Sequence, residues 1–149
     1  MAEHNIHLFR VSLEAKLYRD IEIESGNKLY DLAAAIVAAF GFYFDHPFGF
    51  YSLLEGNVFD SPVQYGLFAD LDDIGEPSDG LSVEPTPIFE AFPDTGHTMT
   101  FLFDYGHSWQ FRTEMIGLKR RERGAKYPRV VKKVGRAPKQ YPPERKRRP

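Results

Sequence analysis

The sequence predicts an α+β fold: a largely antiparallel sheet with one main helix packed on one face, followed by a basic, Pro-rich C-terminal tail. Three observations predict it. Residues 6–23 hold two runs of alternating apolar and polar side chains joined by a short polar link. Residues 29–40 repeat apolar side chains at helical spacing. Thr98 to Phe111 reads as a strand, a tight polar turn and a return strand. A length of 149 residues favours one domain. With 42% hydrophobic and 15% aromatic residues, such a chain can bury a core without covalent staples.

Taken in order, Ile6 to Leu13 places Phe9, Val11 and Leu13 on one face and Arg10 and Ser12 on the other. After the polar link Glu14-Ala15-Lys16, the run Leu17 to Ile23 turns Leu17, Ile21 and Ile23 inward and Asp20, Glu22 and Glu24 outward. Arg19 falls on the inward face and therefore needs a partner or an edge position. The two runs form an opening hairpin. Ser25-Gly26-Asn27 breaks the strand, with Asn27 as the expected N-cap and Asp31 in the first turn to complement the dipole. Leu29, Leu32, Ala33, Ile36, Val37 and Phe40 make the helical stripe, and Gly41 suits the position after the helix end. A strand follows Pro47, with Phe48, Phe50 and Ser52 alternating against Gly49, Tyr51 and Leu53; Gly56-Asn57 signals a two-residue turn into Val58-Phe59. Residues 61–79 are acidic and loop-rich. Thr86 as N-cap and Pro87 at the first helical position open a short helix through Phe92.

The hairpin at 98–115 is the centre of the reading. Met99, Phe101 and Phe103 alternate with Thr98, Thr100 and Leu102, so one face is strongly apolar and the other nearly so, and the strand belongs inside the sheet. Trp109, Phe111, Thr113 and Met115 alternate with Gln110, Arg112 and Glu114, a strand with one wet face. Gly106 is the expected source of a positive φ at the bend.

Charge is unevenly distributed. Residues 1–115 hold 19 Asp and Glu against 5 Lys and Arg, whereas residues 116–149 hold 2 against 14. The split gives a domain over 1–118 and a partly ordered, basic, Pro-containing tail over 119–149, little of which can be buried. A tail of this kind either neutralises the acidic body or takes an anionic partner, nucleic acid or another acidic molecule. The absence of cysteine excludes disulfide and thiolate chemistry and suits a cytoplasmic location. The start lacks a basic and apolar leader, and no run reaches the roughly 18–20 apolar residues of a membrane span.

These pieces together resemble a known family, the plasmid ORF-three-like proteins first named from a pRiA-type plasmid, whose domain is also labelled insertion-element passenger TnpR-like. Tyr18-Arg19-Asp20-Ile21-Glu22-Ile23 stands where the family reads W-R-R-I-x-V. Leu29, Leu32, Ile36, Phe40, Gly41 and Phe42 follow its helix pattern, and His46-Pro47-Phe48-Gly49-Phe50 loosely matches H-L-x-x-F. Phe101 to Trp109 is similar to the signature Y-x-Y-D-F-G-D-x-W, and Tyr127-Pro128-Arg129 and Pro142-Pro143-Glu144 match later elements. His107 replaces the second turn aspartate, Gln110 and Phe111 occupy the place of a following histidine, and Arg145-Lys146-Arg147-Arg148 replaces an Asp and glycines. The resemblance implies the domain. It does not carry over an activity that rests on two turn carboxylates.

Asp104 and His107, three apart on one turn, are the first chemical candidates. An Asp that orients an imidazole can move a proton or help hold a metal; equally, Asp104 can simply accept backbone N–H bonds and stabilise the bend. Asp45 and His46 join them if the fold brings their loop alongside. Spacing matches no standard metal site, so no metal and no cofactor are expected; His46, His107 and Asp104 are the weak candidates. His4, His7 and His97 read as ordinary strand or surface histidines. The acidic loop from Asp70 to Asp79 fails the calcium-loop spacing at Ile74 and Leu81. Nucleic-acid candidates are Lys119, Arg120, Arg121, Arg123, Lys126, Arg129, Lys132, Lys133 and Arg136, with Tyr127 and Tyr141 available to stack on bases. The leading expectation is a non-catalytic binding or accessory protein of the mobile-element type. The alternatives are a small hydrolase or metal-dependent enzyme at the Asp104 and His107 turn, and a protein-interaction module.

Overall fold

The structure is a computed structural model in which residues 5–66 and 81–140 are described. Strands β1 (Ile6–Glu14) and β2 (Leu17–Glu24) form the opening hairpin, and α1 (Leu29–Ala39) follows. Next come β3 (Phe48–Tyr51), β4 (Gln64–Gly66), β5 (Leu81–Ser82) and the single-turn α2 (Ile88–Ala91). Strands β6 (Thr98–Phe103), β7 (Trp109–Lys119) and β8 (Arg129–Val134) complete the chain. Among the described residues these make one eight-stranded sheet, ordered β5-β4-β3-β6-β7-β1-β2-β8. Only β4 and β5 pair in parallel. The predicted mixture of a mainly antiparallel sheet and one main helix is therefore the architecture observed. No described helix is long and apolar enough to cross a membrane.

One face of the sheet carries the core. Phe9, Ile21, Phe50, Phe101 and Phe111 meet the stripe of α1, where Leu29, Leu32, Ile36 and Val37 are buried. The aromatic rings pack edge-on or tilted, as in Phe9 against Phe92 at 4.9 Å and Phe40 against Phe111 at 4.9 Å. A smaller cluster of Tyr51, Val58 and Leu102 covers the other face at β3 and β6, which is why Leu102 is buried on that side as well. His7 is a buried strand histidine, held by the Ser25 hydroxyl at 2.7 Å and the Phe92 carbonyl at 2.8 Å.

Helix α1 ends as its sequence predicts. Gly41 has φ +75°, its N–H donates to the Ala38 carbonyl, and the Phe42 N–H donates to that of Val37. Its start differs from expectation. Lys28 is the N-cap residue, and its backbone N–H donates to Asp31 at 2.9 Å. The Asn27 carbonyl instead accepts the Ile88 N–H at 2.7 Å, tying the entries of both helices together. The short helix α2 starts one residue later than predicted, because the Thr86 hydroxyl donates to the Ser82 carbonyl rather than capping. Val58–Asp60 forms a single 3-10 turn capped by the Asn57 side chain at 2.9 Å.

Strand β2 departs most from a simple in-and-out pattern. Arg19 does point to the helix side, and it is buried. Its guanidinium donates to the carbonyls of Ala39, at the end of α1, and Val134, in β8, and lies 4.9 Å from the Phe40 ring centroid. A cation there complements the carbonyl end of the helix, while burial pulls its pKa down. Asp20 and Glu22, expected outward, do lie on the opposite face, yet both are buried. Arg10 grips Asp20 through Nε at 2.8 Å and Nη2 at 2.9 Å. Glu22 accepts from Lys119 at 2.6 Å and Arg129 at 2.7 Å. The basic segment after Leu118 thus enters the sheet: it completes β7 and supplies β8, which pairs with β2 with Glu22 opposite Arg129.

Candidate functional site at the β6–β7 bend

The register of the central strands builds this site. Phe48 of β3 lies opposite Phe103 of β6, and the two strands run antiparallel. Residues just before Phe48 must therefore lie beside residues just after Phe103. The Asp104 N–H donates to the Pro47 carbonyl at 3.0 Å, which extends that contact. This backbone pairing draws Asp45 and His46 next to the bend.

Within the bend, positive φ falls on Asp104, at 65°, and Ser108, at 56°, and not on Gly106. The Ser108 N–H closes the turn onto the Asp104 carbonyl. Aspartate tolerates this left-handed conformation because its carboxylate can bond locally. Here Oδ1 accepts the N–H groups of Gly106 at 3.2 Å and His107 at 3.3 Å. Asp104 is buried, and its Oδ2 is addressed by His107 Nδ1 at 3.1 Å and His46 Nε2 at 3.5 Å. His46 Nε2 also lies 3.5 Å from Asp45 Oδ1. All four candidates named from the sequence meet here. A carboxylate that only accepts is the partner for a donor N–H, so the contact suits the His107 tautomer that donates from Nδ1.

Both imidazoles address the same carboxylate oxygen, an arrangement for hydrogen bonding rather than for shared ligation. Among the described residues, no group of three or more His, Asp or Glu side chains is placed to hold a metal ion. Gln140 is a member of the site that sequence reasoning missed. It is buried, donates through Nε2 to Asp45 Oδ1 at 3.3 Å and the Tyr43 carbonyl at 3.1 Å, and accepts the Tyr43 N–H at 2.6 Å. An isolated Gln in a basic, Pro-containing stretch offers no signal for this. Beside the bend, the Tyr105 and Tyr51 hydroxyls are 3.1 Å apart, and burial pushes the Tyr51 hydroxyl well above its ordinary pKa.

The basic candidates divide into two groups. Lys119 and Arg129 pair with Glu22, Arg121 pairs with Glu24 at 2.7 Å, and Arg129 also reaches Glu122 at 3.0 Å. Tyr127 is engaged as well, 5.1 Å from both the Arg121 and Arg129 guanidiniums and hydrogen-bonded through its hydroxyl to the Glu122 N–H. Arg120, Arg123, Lys126, Lys132, Lys133 and Arg136 are exposed. Of these, Arg123, Lys126, Lys132, Lys133 and Arg136 form no ion pair with a described residue. His4, the acidic loop from Asp70 to Asp79, Tyr141 and the Pro142-Pro143-Glu144 motif lie outside the described residues.

Comparison with known proteins agrees with this picture at the level of fold and family. No curated protein matches the chain. Among solved structures, a crystal structure of a protein of unknown function, MM3350 from Methanosarcina mazei Go1, superposes with a TM-score of 0.73. It is 19% identical, and the match covers 93% of this chain and 75% of that one. At that identity the likeness establishes the sheet and helix arrangement alone. The family of plasmid pRiA4b ORF-3-like proteins matches residues 4–142, nearly the whole sequence, and this chain belongs to that family.

Proposed function

We propose that the chain is a non-catalytic binding protein, an accessory component of the mobile-element type, that engages nucleic-acid phosphates through the basic residues following Leu118. The observation that supports this most directly is the surplus of cations there. Lys119, Arg121 and Arg129 are consumed by Glu22, Glu24 and Glu122. Arg123, Lys126, Lys132, Lys133 and Arg136 remain exposed around the edge strand β8. Flexible exposed cations lose little by exchanging water for phosphate, and the counterions they displace drive association.

The test is binding of a labelled single-stranded oligonucleotide at low and raised salt. Three to five phosphate contacts predict a slope of log K against log salt of about −2 to −3.5. Exchanging Lys132 and Lys133 for Glu should flatten that slope by at least about 1. A flat response, or an unchanged slope in the variant, refutes the reading. Deleting residues 119–149 is the wrong experiment, because it removes β8 and the partners of Glu22.

A second reading, proton transfer at the bend, is favoured by the meeting of Asp104, His46, His107 and Asp45 within 3.5 Å. In it Asp104 orients His107, as carboxylates orient catalytic imidazoles elsewhere. Hydrolysis of simple ester and phosphodiester substrates that is absent, or unchanged by Asp104→Asn, removes it.

A further inference from the structure

We infer that the cleft at the carbonyl end of α1, beside β2 and the chain leaving β8, is a binding site for a single phosphate group anchored by Arg19. The cleft has a volume of about 470 Å³. Its charged lining residues are Arg19, Lys133 and Arg136, with no carboxylate among them. It shares Lys133 and Arg136 with the nucleic-acid surface proposed above, but it rests on Arg19 and holds for a free phosphate whether or not nucleic acid binds.

Two observations point to an anion. The first is that Arg19 is a buried cation without a counter-charge. It is 3% exposed, and its hydrogen bonds go to the carbonyls of Tyr18, Ala39 and Val134, none to a carboxylate among the described residues. Burial lowers its pKa, and no neighbouring anion raises it. Those bonds occupy Nε and Nη1. Nη2 has no partner among the described residues and is not sealed from solvent. The fixed guanidinium therefore keeps one nitrogen open on the cleft that it lines. Buried charges are ordinarily paired.

The second is the register of β2 and β8. Asp20 faces Lys132 and Glu22 faces Arg129, each a pair of opposite sign, whereas Arg19 faces Lys133. Residues directly opposite in an antiparallel ladder share a face, so these two cations stand together on the helix side, where like charges repel. An anion between them turns that repulsion into attraction. At the rim, Gly135 has φ +85°, and a Cβ there would lie 2.5 Å from the Lys16 carbonyl oxygen. Only glycine lets the chain pass the β1–β2 turn so closely on its way to Arg136.

Phosphate suits these donors better than a carboxylate does. With Nε and Nη1 occupied, Arg19 does not offer the forked pair of bonds that grips a carboxylate. It offers single bonds from Nη2, and a tetrahedral oxyanion collects such bonds from several directions. Three lining cations without a lining acid also suit the charge of a phosphate dianion. The carbonyl end of a helix ordinarily disfavours anions. Here the last four carbonyls of α1, those of Ile36, Val37, Ala38 and Ala39, already accept from the N–H groups of Phe40, Phe42 and Gly41 and from Arg19, in that order.

Calorimetry with inorganic phosphate, and acetate alongside, tests the site in about 0.1 M sodium chloride. Phosphate should saturate below roughly 10 mM, and acetate should not. Arg19→Gln should abolish the binding, but it also gives up the bonds to Ala39 and Val134, so Lys133→Gln decides. That variant should weaken phosphate about five- to tenfold. Lys132→Gln, one residue away on the opposite face beside Tyr18, should change it less than about twofold. A terminally phosphorylated oligonucleotide that binds more tightly than its unphosphorylated twin, by a margin lost in Lys133→Gln, assigns the group to a nucleic-acid end. Equal binding of the twins while inorganic phosphate saturates assigns it to a free phosphate or a small phosphate ester. No saturation by phosphate, equal saturation by acetate, or equal weakening in Lys132→Gln and Lys133→Gln overturns the site. A salt slope that persists for the oligonucleotide in that case leaves the nucleic-acid reading standing, so the two fail separately.

Discussion

Replacing Glu22 by Gln tests how the basic segment is held to the sheet. The Glu22 side chain is 1% exposed, and its two oxygens accept from Lys119 Nζ at 2.6 Å and Arg129 Nε at 2.7 Å. It stands on β2 and reaches β7 across β1 as well as β8, so one carboxylate joins three strands. Gln keeps the shape and one acceptor but turns an N–H donor toward a cation. Breaking a buried pair costs about 3–5 kcal/mol when the stranded charge stays buried. Here the stranded groups are Lys119, 46% exposed, and Arg129, 32% exposed, which regain water. The loss should therefore fall to about 2 kcal/mol, or roughly 6 °C in Tm for a chain of this size. Urea unfolding followed by Trp109 emission measures it. The pH dependence sharpens the test. Burial pushes the Glu22 carboxyl up, but the bonds from Lys119 and Arg129 together outweigh it and hold the pKa below 4.5. A depressed pKa means the stabilisation is complete above that value and is lost as pH falls through the lower, folded value. The gap between wild type and Glu22→Gln should accordingly close in acid. A loss under about 0.5 kcal/mol at neutral pH, or a gap that does not change on acidification, refutes the three-strand clamp.

Two further substitutions probe the bend and the β8 junction. Asp104→Asn keeps a residue that tolerates φ near +65° and should cost about 1–2 kcal/mol, whereas Asp104→Ala should cost at least about 1 kcal/mol more. Equal urea midpoints for the two variants would show that the backbone conformation contributes nothing. Gly135→Ala places a methyl group 2.5 Å from the Lys16 carbonyl oxygen at a positive φ and should destabilise by about 2–4 kcal/mol. Limited proteolysis should then cut within residues 119–140 before the rest of the chain; cleavage at wild-type rates would count against the close approach.

Much of the fold is legible in the sequence because its signals are local. The stripe from Leu29 to Phe40 and the glycine at 41 specify a helix and its end without reference to anything distant. The alternation in 6–23 and 98–115 specifies strands and their buried faces. The failures have local competitors. Asn27 and Thr86 are both good caps, but backbone and hydroxyl bonds to α2 and Ser82 claimed them first. Gly106 is the expected left-handed residue, but Asp104 takes that conformation because its carboxylate bonds the following N–H groups. Strand β8 was hidden because four of its six side chains are exposed, so it carries almost no apolar pattern.

The sequence by itself determined the fold class, the helix, the central hairpin and the identity of the four polar residues that meet at its bend. Hydrophobic periodicity and turn chemistry act over a few residues, and they suffice for these. Only the tertiary structure decided that Asp45 and His46 lie against Asp104, since that depends on β3 pairing with β6 in one register. It alone also decided the fate of the charges. Lys119 and Arg129 look alike to Lys132 and Lys133 along the chain, but Glu22 is within reach of only the first two, and ion pairing depends on distance in space rather than along the sequence.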